Sequence, residues 1–122
     1  MKRLPRPQGE AGMVTAETAV VLPVLLLVLA AAVAAVTVVG AQLRCVDAAR
    51  EGARAAARGD PAAVVEALVA RAAPEGATTV VDVGAEEVRV IVSVRIAPLG
   101  PVPLRITVSA DAVALREPGE AG

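Results

Sequence analysis

The chain has 122 residues, 56% of them hydrophobic, a formal charge of −1 and no Phe, Trp, Tyr or His. That length holds one small domain beside a membrane segment and nothing larger. The balanced charge excludes the basic excess of a nucleic-acid binder, and the missing histidine removes the commonest general base and metal ligand. Ala, Val and Leu must therefore form any core, each burying less area than an aromatic ring. A small domain built this way is expected to draw stability from a membrane or from neighbouring subunits.

The first element is a short basic segment, with Lys2, Arg3 and Arg6 interleaved with Pro5 and Pro7. Residues 18–43 then carry no charge. At 1.5 Å per residue they make about 39 Å of helix, enough to cross a hydrocarbon core of about 30 Å with some tilt. The run is too long for the apolar region of an ordinary signal peptide, and nothing else in the chain is large enough to bury it as a core helix. Secretion with cleavage among residues 30–34 is opposed by Glu17 and by the apolar run continuing to Val39. Positive flanks stay cytoplasmic, so the N-terminus is expected inside and the C-terminal domain outside. Pro23 lies within the span, where its missing N–H is expected to kink the first turns.

Just before the span stand Gly12, Met13 and Glu17, followed by Thr18-Ala19-Val20-Val21-Leu22-Pro23. A carboxylate at the mouth of an apolar helix is costly in lipid and asks for a reason. One reason is local: Glu17 stays at the interface, favoured by the positive end of the helix. The arrangement also resembles the type III signal of prepilins, in which a basic leader ends in Gly and Glu takes the fifth position after the cut. The run from Glu17 to Pro23 is similar to the TadE-like branch of tight-adherence (Flp) pilus assembly proteins, minor pilins or pseudopilins. The stretch from Asp47 to Arg58 looks like that of actinobacterial members. Thr18 departs from the pattern, since relatives commonly carry an aromatic there.

The resemblance implies cleavage between Gly12 and Met13 by a prepilin peptidase, a membrane aspartic protease. Met13 would become the mature N-terminus, and Glu17 would pair with the α-amino group of a neighbouring subunit during assembly. The implied partners are that peptidase, other pilins and the inner-membrane assembly platform, with no cofactor, nucleic acid or small-molecule substrate. The alternative is a single-pass envelope module that is never processed and binds a protein or a cell-wall polymer.

Past the span, residues 42–58 keep helical periodicity, with Leu43, Val46, Ala49, Ala53 and Ala56 or Ala57 on one side. Arg50, Arg54 and Arg58 form a stripe at four-residue spacing, with Asp47 and Glu51 interleaved, as on a solvated helix face. Cys45 reads as a small hydrophobe; cross-linking and acylation are the alternatives. Gly59 is expected to stop the helix. Asp60 then serves as N-cap and Pro61 as first residue of a second helix over 62–73, with Val64, Val65, Leu68 and Val69 as its apolar face. Pro74-Glu75-Gly76 turns the chain.

The period then changes to two. Strands are predicted over residues 78–83, 88–96 and 104–110, the last running on towards Leu115, with Val88, Val90, Val92, Val94 and Ile96 on one face. Residues 84–86 and 98–103 are the connections, the second stiffened by proline. Glu86 and Glu87 would point to opposite faces of a strand and make a poor acid–base pair. No metal cluster, catalytic triad or phosphate loop is present in the sequence, and no enzyme activity is expected.

The predicted architecture is α+β: a long N-terminal helix with a transmembrane half and an amphipathic half, a short second helix, and a small three-stranded antiparallel sheet. Its expected divisions are a leader (1–12), a transmembrane helix (13–43), an extracytoplasmic domain (44–115) and a disordered tail (116–122).

Overall fold

The computed structural model describes residues 8–117, with side chains from Gly12 onward. Its elements are α1 (Gln8–Ala57), α2 (Ala62–Ala72), β1 (Thr78–Val83), β2 (Glu87–Ile96) and β3 (Ile106–Leu115). This is the predicted α+β order. Two compact units meet between Val33 and Ala34, inside α1. Of the expected leader, Lys2, Arg3 and Arg6 lie outside the described residues, while residues 8–12 are already helical. Past Pro7 no proline interrupts the chain until Pro23, so the helix runs on through Gly9 and Gly12, its weaker formers.

In the first unit α1 presents apolar side chains all round, Leu27 being 70% exposed. Among the described residues it is the one helix long and apolar enough to cross a membrane. A helix apolar on every side needs an apolar surround, and that surface is the surface of a membrane anchor. Thr18 folds its hydroxyl back onto the Val14 carbonyl at 2.9 Å, satisfying a polar group without water.

The second unit is a three-stranded antiparallel meander, β1-β2-β3, covered on one face by helices. Val90 of β2 stands opposite Val81 of β1 and Ala112 of β3. Val88, Val90, Val92 and Val94 are buried, with Val108 and Ala110 beside them, and Ile96 is half-buried. The alternation in β2 follows the sequence pattern because a pleated strand sends every second side chain to the core.

Against this valine face α1 lays a stripe of small residues: Ala41, Cys45, Ala48, Ala49, Ala53 and Ala56. Small side chains on the helix let branched ones on the sheet interlock with it, which is how an aromatic-free core reaches density. Of the side expected from the sequence, Ala49, Ala53, Ala56 and Ala57 are buried and Val46 is half-buried, but Leu43 is exposed and the core face takes in Cys45 and Ala48 as well. The reason is size: a leucine would hold α1 off the sheet where cysteine and alanine let it close.

Boundary shifts have local causes. The chain leaves α1 through Gly59, at φ 87°, with Gly59 N–H donating to the Ala56 carbonyl and Asp60 N–H to that of Ala55. This pair of bonds is a Schellman motif. Pro61, and not Asp60, is the N-cap of α2, at φ −58° and ψ 149°, with no side-chain cap. The Asp60 carboxylate instead pairs with Arg58 at 3.1 Å. Helix α2 ends at Ala72, because Ala73 precedes Pro74 and takes the extended backbone such a position favours. Of its predicted apolar face Val65 and Val69 are buried, Leu68 is half-buried and Val64 is exposed.

Strand β3 starts at Ile106 and not at Leu104, whose N–H turns back to the Val102 carbonyl at 2.7 Å around Pro103. Of the residues expected as a tail, Arg116 bonds through its N–H to Glu86 and Glu117 to the Ala57 carbonyl. The remainder, 118–122, lies outside the described residues.

Candidate functional site on the N-terminal helix

Gly12, Met13, Glu17 and Pro23 all lie on α1. Met13 and Glu17 stand one helical turn apart, so they share a side of the helix with their Cβ atoms about 5–6 Å from each other. Both are exposed. The peptide bond between Gly12 and Met13 sits more than a turn inside the helix. A Cβ added at Gly12 would meet nothing within 4 Å, so the glycine is not there to accommodate a neighbour. Pro23 lies inside α1 and withholds its N–H from the Ala19 carbonyl, one turn back.

In the second unit, residues 42–57 of α1 carry the contacts that seat the small domain. The Arg44 guanidinium donates to the Ala73 carbonyl at 3.1 Å, closing the end of α2 with a positive charge where the helix dipole is negative. Gln42 donates through Nε2 to the Ser109 carbonyl at 3.1 Å. At Gly52 three elements converge: a Cβ there would lie 2.6 Å from Val69 Cγ2, 3.2 Å from Val90 Cγ1 and 3.7 Å from Val65 Cγ1. The sequence reading passed over this glycine. Its signal was a helix-weakening residue placed among alanines, which sacrifices about 1 kcal/mol of propensity and so calls for a packing reason.

Cys45 is fully buried, as its reading as a small hydrophobe requires. Burial pushes its thiol above the ordinary cysteine value, and the neighbouring Arg44 charge offsets part of that rise. Arg50, Arg54 and Arg58 are exposed, and among the described residues only Arg58 of the three enters an ion pair. No group of three or more Cys, Asp or Glu able to hold a metal exists among the described residues.

The stretch of α1 that opens at Gly12 and passes through Glu17, Pro23 and Gly52 also matches a known family model. The model of the TadE-like protein family covers residues 12–54. Over those residues the chain is similar to the TadE-like family. The TadE-like segment starts on Gly12 and ends four residues short of Arg58, so it lies wholly within α1 and takes in none of the sheet. Over 44 residues the chain is 57% identical to the apoptosis inhibitor Rv3655c of Mycobacterium tuberculosis, a match of 36% of this chain and 35% of that protein. The similarity thus spans about a third of the length of that relative. No solved structure matches the chain.

Proposed function

We propose that the protein is a minor pilin or pseudopilin of a tight-adherence (Flp-like) pilus system, anchored and assembled through α1. The observation that carries this reading is the TadE-like match, which begins on Gly12 and includes Glu17 and the apolar helix behind it. In this reading a prepilin peptidase cuts between Gly12 and Met13, and the leader stays on the cytoplasmic side. Met13 then carries the mature α-amino group. Glu17 meets the α-amino group of a neighbouring subunit, and the attraction offsets the penalty of placing two charges in a low-dielectric bundle. Pro23 supplies a bend point where the helix lacks one backbone bond. The partners are the peptidase, other pilins and the inner-membrane assembly platform, and the small domain lies outside the cell membrane. The role is structural, with no catalytic group, cofactor or small-molecule substrate.

Because the target peptide bond is helical in this structure, the peptidase has to unwind the first turns of α1 before cutting. Glycine at the cut lowers that barrier, since it is among the weaker helix formers. Intact mass or N-terminal sequencing of the membrane-extracted protein tests the reading: a start at Met13 is expected. Gly12→Ala is expected to abolish processing, whereas Glu17→Ala is expected to leave processing intact and impair assembly. Unprocessed wild-type protein, beginning at Met1, would sink the pilin reading. The same helical geometry favours one other reading, a single-pass envelope module that is never cut and that binds a protein or cell-wall partner.

A further inference from the structure

The connection between β2 and β3 has a composition unlike any other loop in the chain. Residues 96–104, IAPLGPVPL, contain no charged or hydrogen-bonding side chain, and an arginine stands at each shoulder, Arg95 and Arg105. Val102 is 49% exposed and Leu104 44%, while Pro98 is buried and anchors the base of the loop.

Its backbone presents few free donors. Pro98, Pro101 and Pro103 have no N–H to satisfy. The N–H groups of Gly100, Val102 and Leu104 bond within the loop, to the carbonyls of Ala97, Leu99 and Val102. Gly100, at φ 61°, makes the turn that allows this. At six of the nine positions 97–105 the backbone donor is thus deleted or bonded within the loop, which lowers the cost of entering the water-poor edge of a bilayer.

The position of the loop comes from two ties within the second unit. Gln42 bonds Ser109, and Glu117 bonds Ala57, so β3 runs alongside α1 in the same direction. Fifteen helical residues rise about 22 Å and eight strand residues about 26 Å, so the two ties agree. Ile106, three strand residues before Ser109, therefore lies about 10 Å back along α1, near Ala35. The loop therefore leaves the sheet at the end nearest the uncharged stretch of α1, whose last residues, 34–43, belong to the same unit. On this part of α1, Val36, Val39 and Leu43 are exposed too.

We infer that loop 97–105 is a second membrane contact, its apolar tip entering the headgroup–acyl boundary of the bilayer that holds α1. The inference rests on the reading of α1 as a membrane anchor. The uncharged stretch exceeds the hydrocarbon core by about 9 Å, which puts the boundary among its last residues, towards the end of the sheet where the loop leaves. Arg95 and Arg105 are exposed and, among the described residues, their side chains enter no ion pair or hydrogen bond, so both guanidinium groups are free to meet lipid phosphates. Arg95 borders an open cleft of about 360 Å³ that Thr107 also lines, and a guanidinium beside a hydroxyl suits a phosphate headgroup.

The absence of tryptophan makes the test direct. Single tryptophans are placed in the full chain at Val102, Leu104, Leu26 and Leu115, the last 76% exposed at the far end of β3. Each variant is reconstituted into phosphatidylcholine–phosphatidylglycerol vesicles whose acyl chains are brominated near the glycerol or near the methyl end. Val102→Trp and Leu104→Trp are expected to emit to the blue of Leu115→Trp. They should be quenched several-fold more by the shallow bromines than Leu115→Trp is, with Leu26→Trp quenched by bromines too. If Leu26→Trp is quenched but both loop tryptophans behave like Leu115→Trp, the loop proposal is overturned and the anchor stands. If Leu26→Trp escapes quenching, anchor and loop fall together. A blue shift without lipid quenching that grows with the protein-to-lipid ratio would mean that a second copy covers the loop, and would also overturn the proposal.

Discussion

At Gly52 a single hydrogen in place of a side chain decides how closely α2 and β2 approach α1. Alanine at this position gains about 1 kcal/mol of helix propensity. It must also displace Val69 Cγ2, which a new Cβ would meet at 2.6 Å. Val69 is fully buried and branched at its own Cβ, so it has no free rotamer to retreat into. Overpacking of this kind costs about 1–3 kcal/mol, so Gly52→Ala is expected to destabilise the small domain by about 1 kcal/mol net. Thermal unfolding in detergent, compared with Gly40→Ala, checks this, because a Cβ at Gly40 would meet nothing within 4 Å. Equal melting temperatures for the two variants would refute the close-approach role of Gly52. Gly12 and Glu17 are a different kind of residue: neither is held by packing, and both were legible in the sequence as a spacing. Gly52 was not legible, because its reason is a neighbour from another element.

At the scale of elements, the sequence period told helix from strand wherever one face is buried. All three strands appear where β-branching or alternation placed them, and β1, expected from its β-branched residues, keeps the predicted bounds of residues 78–83. The misplacements sit at ends, where one bond decides. Asp60 has the side chain of a cap, but the Schellman bonds from Gly59 and Asp60 commit that backbone to closing α1, and the cap position passes to Pro61. Gly59→Ala should therefore destabilise the domain by about 1 kcal/mol, the penalty of a left-handed conformation for a residue with a Cβ. Gly59→Asn, which tolerates that conformation better, should recover part of the loss in the same unfolding assay. An alanine variant as stable as the wild type would show that the left-handed residue is not needed to end α1. The loop 97–105 was legible as a stiff connection. Its standing at the end of the sheet nearest the uncharged stretch was not, because that depends on the register of β3 against α1.

For the whole molecule, Cys45 is a built-in reporter. It sits with no exposed surface in the face of α1 that packs on the sheet, so a thiol reagent reaches it only when the domain opens there. Alkylation of the native protein should be slow and should accelerate with denaturant in step with the loss of the sheet. Gly52→Ala should speed it by the same free energy that it removes from stability, about tenfold for each 1.4 kcal/mol. Fast alkylation of the native protein in bilayers would mean that α1 is not seated on the sheet. The anchor, by contrast, needs no internal partner: its side chains are exposed on all sides in this structure, and lipid or neighbouring helices take the place of a core.

The sequence by itself determined the membrane-length helix, the Gly12–Glu17 spacing, the α+β order and the valine face of β2. Each of these is written in local charge, hydropathy or period. Only the tertiary structure decided that Cys45 and Ala48 join the buried face of α1 in place of Leu43, why Gly52 is glycine, and at which end of the sheet the apolar loop between Arg95 and Arg105 stands. Those depend on contacts between residues far apart in the chain, and small side chains such as Ala, Gly and Cys give little periodic signal of the face they will bury. The helix with which the chain begins is thus two things joined in sequence: an anchor legible residue by residue, and a spine whose packing face appears only once the sheet is laid against it.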